Sequence, residues 1–378
     1  MFLNDSDREI QATIERVCAS EIPKYQNETY YNTLPRELFN SFAQVGVTGV
    51  SIPEEFDGMG AGVFTSALIM ETIARFDLGP AIFMSVHSMV SGLIAKNANT
   101  EQKKSLLPKL ASGELLGAFA LTEPQAGSDA GALACEARKV SNGFSLKGTK
   151  CYITSAGFAD LYLVFAKTEN KGEKGISAFI VPAATKGITI GKPEKKMGCE
   201  LSPIASMFFE DAVVPENALI GELNSGYKIA LSGLAGGRVN IAACANGLSQ
   251  TAIDLSLKHL QERKQFNQEL INFQGLQFIL ADMYIKLEAA RALTWKSAAE
   301  IDQIDSKGLN TRLSSSVAKC FATDAAMNIT TDAVQLLGGA GYIKEYQVER
   351  LMREAKMLQI VEGTNQIQRL VIAREMAK

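Results

Sequence analysis

Phe119-Ala120-Leu121-Thr122-Glu123-Pro124-Gln125-Ala126-Gly127-Ser128-Asp129-Ala130-Gly131 is the stretch where the chain changes character. It begins as an apolar strand and breaks at Pro124 into a run of hydroxyl, amide and glycine groups. Such a loop offers backbone N–H groups and the Thr122 and Ser128 hydroxyls to a ligand, or turns at the surface. Before it the apolar spacing is helical; after it the spacing is that of short strands. The segment therefore divides a helical part from a β part.

Upstream, Ile10, Ile14, Val17 and Cys18 share one helical face, with Asp5 or Ser6 as the candidate cap. Pro35 opens a second helix through Leu38, Phe39, Phe42 and Val45, ending near Gly46. Phe64–Arg75, Pro80–Lys96 and Glu101–Leu110 read as further helices. Gly58-x-Gly60-x-Gly62 lacks the spacing of a dinucleotide loop and is expected to be a flexible turn. Downstream, Phe144/Leu146, Leu161–Ala166, Ile176–Val181, Ile188/Ile190 and Ala205–Phe209 give short strands with charged turns. After Gly226 long Ala-rich amphipathic helices follow at Val239–His259, Leu276–Ala299, Leu309–Leu337 and Ile367–Met376. The fold class is α+β, mainly α. Residues 1–116 form an N-terminal helical domain, 117–225 a middle antiparallel β domain, and 226–378 a C-terminal bundle of the four-helix type.

The 378 residues suffice for a sizeable core, with 47% hydrophobic and 21% charged residues. A net charge of −3 argues against nonspecific nucleic-acid binding. The cysteines (Cys18, Cys135, Cys151, Cys199, Cys244 and Cys320) are scattered, which points to buried thiols in a reducing compartment. With His87 and His259 the only histidines, a His-based metal cluster is not expected. No unbroken apolar run reaches the roughly 18 residues of a membrane span, and Met1-Phe2-Leu3 leads into Asn4, Asp5 and Asp7 rather than a signal peptide. These features suggest a soluble cytoplasmic enzyme.

Four other stretches are too polar and Gly-rich for ordinary core. Tyr152-Ile153-Thr154-Ser155 ends a strand in hydroxyls, with an aromatic suited to lie against a flat ring. Arg263-Lys264-Gln265-Phe266, with Gln274 following, suits phosphate recognition or a helix-end surface charge. Gln335-Leu336-Leu337-Gly338-Gly339-Ala340-Gly341-Tyr342 permits close backbone approach to a ligand or caps a helix. In Ile360-Val361-Glu362-Gly363-Thr364-Asn365-Gln366, a carboxylate stands among apolar residues before a helix that Thr364 or Asn365 caps. Buried, that carboxyl becomes a stronger base; solvated, it favours the helix dipole.

In wording and order these segments resemble the acyl-CoA dehydrogenase family over essentially the whole chain. The matches are Leu121-Thr122-Glu123-Pro124-x-Ala126-Gly127-Ser128-Asp129, Tyr152-Ile153-Thr154, Arg263-Lys264-x-Phe266, Gln335-x-x-Gly338-Gly339-x-Gly341-Tyr342 and Glu362-Gly363-Thr364-x-Gln366. The resemblance implies an FAD enzyme, usually a homotetramer built as a dimer of dimers. It implies an acyl-CoA substrate and an electron-transferring flavoprotein as acceptor, without nucleic acid or membrane. Phe119, Leu121, Thr122, Tyr152, Ile153 and Thr154 would lie at the isoalloxazine, the family usually having Trp where Tyr152 stands. Arg263, Phe266, Phe273, Gln274, Gln335, Gly338 and Gly339 would reach the adenine dinucleotide part across a subunit interface. Thr364 and Gln366 would touch FAD beside the base, and Ser128 the acyl-CoA chain.

The implied reaction is α,β-dehydrogenation of a thioester. Glu362 would take the C2 proton while the C3 hydride passes to flavin N5. The FAD ribityl 2′-hydroxyl and the backbone N–H of Glu362 would stabilise the developing enolate. A subset of the family carries its base on the helix beginning near Arg238. Here Leu231–Arg238 contains no acid, which leaves Glu362. Ala235, Gly236 and Gly237 would give a ligand close access to backbone, and Arg238 would hold the CoA end. Arg374 is a candidate for the CoA phosphate or a plain surface residue of the last helix.

Several segments resemble the isobutyryl-CoA-oxidising branch: Glu194–Gly198, Phe209-Glu210-Asp211, Gly236–Ala242 and Ser85–Met89. Val361 precedes the base where medium straight-chain enzymes usually have Tyr, which frees space beside C2 for a branch methyl. The expected substrate is a short branched acyl-CoA, with butyryl- or 2-methylbutyryl-CoA as alternatives. More distant alternatives on this scaffold are an acyl-CoA oxidase or flavin monooxygenase, and a non-enzymatic nucleic-acid-binding relative.

Overall fold

The computed structural model describes residues 3–303 and 310–378. Five helices come first: α1 (Asp5–Glu21), α2 (Arg36–Gln44), α3 (Val63–Ala74), α4 (Leu78–Asn97) and α5 (Thr100–Ala111). Asn4, not Asp5 or Ser6, starts α1. Its side chain accepts from the Asp7 N–H at 2.8 Å, and the Asp7 carboxylate accepts from the Asn4 N–H at 3.2 Å. The Gly58–Gly62 turn is packed rather than loose. The N–H groups of Met59 and Gly60 donate to Gly49 O and Ile52 O, and a Cβ on Gly58 would collide with the Ile52 carbonyl.

Helix α4 reaches the length and apolarity of a membrane span by composition, although no unbroken apolar run announces it. Its most apolar window is 78% buried inside the protein, so it is a core helix here. It carries His87, whose Nδ1 accepts from the Gly117 N–H at 3.2 Å while Nε2 faces Thr48 O and Leu110 O. Burial pushes the His87 pKa down to about 4, and the neutral ring ties the helices to the first strand.

The sheet comprises β1 (Gly117–Ala120), β2 (Glu136–Val140), β3 (Gly143–Thr154), β4 (Leu161–Lys167), β5 (Ile176–Pro182), β6 (Ile188–Ile190), β7 (Ile204–Val214) and β8 (Leu219–Ile220). Its order is β6-β7-β3-β2-β4-β5-β8, with β1 beside β4. Two pairings depart from the antiparallel rule: β1 runs parallel to β4, and β2 meets β4 in parallel at Glu136↔Lys167. β1 enters from α5 and leaves through the Pro124 loop, so no hairpin dictates its direction.

The C-terminal part contains α6 (Gly226–Glu262), the hairpin β9 (Lys264–Gln265) and β10 (Gln268–Glu269), α7 (Gln274–Asp302), α8 (Thr311–Leu337), α9 (Val348–Leu358) and α10 (Asn365–Met376). Met1, Phe2 and Leu309, the expected start of α8, lie outside the described residues. Helix α9 escaped the sequence reading, although Val348, Leu351, Ala355 and Leu358 form a buried 3/4-spaced stripe. It ties all three parts together. Arg350 pairs with buried Asp77 at 2.8 Å, and Glu354 accepts from the Cys199 N–H at 3.1 Å. Helix α6 starts at Gly226, not near Val239, and runs through Gly233, Gly236 and Gly237. Interior glycines weaken an isolated helix by roughly 1 kcal/mol each. Packing overrides that here: a Cβ on Gly233 would press on Leu93 at 3.0 Å.

Candidate active site

Glu362 lies in the turn between α9 and α10, with φ +55, followed by Gly363 at φ +87. Two consecutive positive-φ residues reverse the chain so that the carboxylate points back at α6. There it rests on Gly237, where an added Cβ would stand 2.7 Å from Oε2 and 2.9 Å from Cδ. The residue as a whole is half-buried, but Oε2 is buried and has no hydrogen-bond partner among the described residues. Burial pushes its pKa up to about 7, against the opposing pull of the Arg238 and Lys319 cations. The result is a carboxyl held near neutrality with a free lone pair, which is what a general base requires. The same contact bears on the alternative base position. The Glu362 carboxylate and a side chain at Gly237 would compete for one volume, so an acid at position 237 and Glu362 in this orientation exclude one another.

The turn is clamped from both sides. Gln368 donates to Glu362 O at 3.0 Å and Gly363 O at 2.8 Å, and Lys319 donates to Gly363 O at 3.0 Å and Asn365 Oδ1 at 2.8 Å. Thr364 caps α10, accepting from the Ile367 N–H at 3.3 Å. With both carbonyls so engaged, the Glu362 N–H donates to no group among the described residues. Val361 is half-buried and packs on the core.

The β-domain residues converge on one patch. After β1 the chain is pinned to β3: the Cys151 N–H donates to Thr122 O at 2.9 Å, and buried Lys150 donates to Leu121 O at 3.0 Å. Lys150 also pairs with buried Glu123 at 2.7 Å, whose carboxylate accepts the N–H groups of Ala134 and Cys135. Leu121 and Thr122 are thereby set at Lys150 and Cys151, one residue before Tyr152, while the Phe119 ring packs on Phe165 at 5.0 Å. Tyr152 is 66% exposed at a register shift of β3, with φ +56. Ile153 is buried in the core, so only its backbone can meet a ligand. Ser128 is exposed in the loop.

A third group lies elsewhere. Arg263, Phe266 (88% exposed), Phe273 and Gln274 follow the C-terminal end of α6, with the two phenylalanine rings 6.1 Å apart edge to face. The 24 residue steps from Arg238 to Glu262 carry the helix about 36 Å away from Glu362. Arg238 meets Ser316 near the start of α8, and the His259 and Tyr346 rings lie 6.5 Å apart beyond its end. α6 and α8 therefore run side by side, and Gln335, Gly338 and Gly339 fall at the Arg263 end. Gly338 has φ +60, and neither it nor Gly339 has a neighbour within 4 Å of a built Cβ. One chain does not gather these residues around Glu362.

One substrate assignment changes on this geometry. Arg238, expected at the CoA end, is only 6% exposed, donates to Ser316 at 3.2 Å and faces Glu362 from inside the bundle. Arg374 is exposed in the last turn of α10, where a cation also suits the helix dipole, so its position fits either expectation. Ala235 and Gly236 are half-buried on α6, just before the Gly237 that Glu362 rests on. An open cleft of about 330 Å³ adjoins the turn, lined by Asp324, Gln359, Thr364, Asn365, Gln366 and Arg369 among others.

Three family profiles match the chain: "Acyl-CoA dehydrogenase, N-terminal domain" over residues 4–114, "middle domain" over 118–212, and "C-terminal domain" over 224–377. The chain belongs to the acyl-CoA dehydrogenase family. It is 43% identical to an acyl-CoA dehydrogenase of Bacillus subtilis over 90% of this chain and 89% of that one. It is 39% identical to a mitochondrial isobutyryl-CoA dehydrogenase of Dictyostelium discoideum, covering 94% and 84%. The structure of butyryl-CoA dehydrogenase from Megasphaera elsdenii superposes with a TM-score of 0.95 at 36% identity, covering 100% of both chains.

This acyl-CoA dehydrogenase is an FAD-dependent oxidoreductase. Its residues fit the cofactor. An exposed aromatic beside two threonines offers a platform and hydroxyls for a flat ring, and side-chain-free glycines with a nearby arginine suit a dinucleotide. Sequence reasoning missed Lys319, Gln368, Ser316 and the Lys150–Glu123 pair. One signal for Lys319 was available: it is the single lysine of an Ala- and Ser-rich helix, set between Ala318 and Cys320 with Ser315, Ser316 and Thr323 on the same face.

Proposed function

We propose that this acyl-CoA dehydrogenase oxidises a short, branched acyl-CoA of the isobutyryl type to its 2-enoyl-CoA, with Glu362 as the base. The observation that carries the reading is the buried, unpartnered Oε2 of Glu362 resting on Gly237. The C2–H bond breaks heterolytically and the proton goes to that oxygen. Bound FAD supplies the acceptor for the electron pair and hydrogen leaving C3. The free N–H of Glu362 is suited to donate to the thioester oxygen as enolate charge develops. Gly236, Gly237 and Ala235 leave the approach to the base free of long side chains, and Ser128 and Arg374 are available at the surface for the rest of the ligand.

Branched substrates are supported by Val361, a side chain short enough to leave room beside C2, and by the Dictyostelium relative. A second reading, butyryl-CoA, is favoured by the full-length similarity to the Megasphaera enzyme. One methylene changes binding by only about 1–3 kcal/mol, so the preference is graded. Anaerobic bleaching of the holoenzyme with isobutyryl-, 2-methylbutyryl-, isovaleryl-, butyryl- and octanoyl-CoA decides it. The branched reading expects isobutyryl-CoA fastest, and a larger rate with butyryl-CoA overturns it. The proposal extends to a dimer of dimers and to electron-transferring flavoprotein as acceptor. Exposed Phe266, Phe278, Ile285 and Tyr342 support the association. Rapid reoxidation by air alone would favour an oxidase instead.

A further inference from the structure

Lys319 is the least expected side chain near the base. It sits on α8 with no exposure, although lysine is almost never fully buried without a partner. Its ammonium has oxygen partners: Gly363 O at 3.0 Å and Asn365 Oδ1 at 2.8 Å. Asn365 is itself fixed, donating to Asp324 at 2.7 Å and to Thr323 at 2.9 Å, so the lysine is aimed by a rigid network. The Gly363 carbonyl directly follows the base in sequence, in the strained segment where Glu362 and Gly363 both have positive φ. The ammonium also acts on the carboxylate through space, together with Arg238 from α6.

We propose that Lys319 is a positioning residue for Glu362, fixing the turn through Gly363 and setting a positive charge that favours the ionised form of the carboxylate. This rests on the reading of Glu362 as the base. Charged and titratable groups around the pair come from each packed element. Arg238 lies on α6. Asp324 and Cys320 lie on α8, and Asp324 is engaged by Arg369 of α10 at 2.7 Å. Among these, only Lys319 combines a positive charge facing Glu362 with a hydrogen bond to its turn. Desolvation lowers the Lys319 pKa to about 8, against the attraction of Cys320, Glu362 and Asp324, so it is largely charged at pH 7. Removing the charge takes away one of the two cations that oppose desolvation of Glu362 and drives the base to a higher pKa.

The test is single-turnover anaerobic bleaching of the FAD holoenzyme with isobutyryl-CoA and butyryl-CoA across pH, for Lys319→Arg, Lys319→Gln and Lys319→Met. Arginine keeps the charge, glutamine keeps a donor without charge, and methionine keeps neither. The rising limb is expected to move up by about one pH unit in the Gln and Met variants and to stay in place in the Arg variant. The limiting rate is expected to fall furthest in the Met variant, by about tenfold. Unchanged midpoints in Gln and Met with full flavin content overturn the proposal, as does an equal shift in all three. Should Lys319→Met fail to fold, the Gln and Arg pair decides alone. Glu362→Gln is measured alongside. If it bleaches normally, the base assignment fails; if it is inert while the lysine variants keep the wild-type midpoint, only the role of Lys319 fails.

Discussion

Glu362 is held in a left-handed conformation by contacts on both faces of its turn, and its carboxylate occupies space that Gly237 leaves empty. Gly237→Ala therefore puts a methyl 2.7 Å from Oε2 and must displace the carboxylate or bend α6. We expect a loss of about 1–3 kcal/mol in stability and about a 100-fold drop in bleaching rate, measured by thermal melts and stopped flow. The raised pKa fixes the sign of two pH effects. If Glu362 is the base, it must be ionised to act, and the bleaching rate should rise with pH through about 7. As a buried acid with a raised pKa, it favours the fold below its unfolded value of 4.5 and loses that contribution as pH climbs through about 7. Glu362→Gln should thus raise Tm more at pH 8 than at pH 5, and an equal effect at both would contradict the burial argument. The residue types of the turn were legible in sequence, since a carboxylate among apolar residues beside glycine stands out. Arg238 was not, because a charged side chain near a glycine pair looks solvent-facing until the neighbouring helix is known.

At the scale of elements, the loop after β1 owes its place to the Lys150–Glu123 pair. The exposures are 0% and 2%, so removing one partner strands a buried charge. Lys150→Met should destabilise the protein by about 3–5 kcal/mol and loosen flavin, read as Tm and as flavin retained after dialysis. Glu123 has a lowered pKa: burial raises it, but Lys150 and the N–H groups of Ala134 and Cys135 pull it down further. Its contribution is present above the unfolded value of 4.5 and lost on acidification. Helix α3 shows a simpler device. Asp302, from the end of α7, accepts the N–H groups of Val63 and Phe64 at 2.7 and 3.0 Å. Asp302→Ala should cost about 1 kcal/mol, seen in the denaturant midpoint. Helix and strand locations were largely readable from periodicity. The first third of α6 was not, because its glycines are selected by close packing rather than by helix propensity.

For the whole molecule, the distance along α6 has the largest consequence. Arg263 and Phe266 stand about 36 Å of helix away from the Glu362 neighbourhood. If they hold the same cofactor that Glu362 serves, they do so from another subunit. Arg263→Ala should then release FAD on dialysis while leaving the Glu362 turn intact, and dilution that dissociates the wild-type assembly should release flavin as well. Retention of flavin by a dissociated subunit would contradict shared binding. The sequence alone determined the alternation of helical and strand-rich segments and the chemical inventory of the site. Both follow from local spacing and residue type. Tertiary structure decided which groups meet: Glu362 over Gly237, Lys319 under Gly363, and Arg238 turned inward to Ser316. Those contacts join positions 44 to 125 residues apart, and no local pattern encodes which helix face will close over a charge.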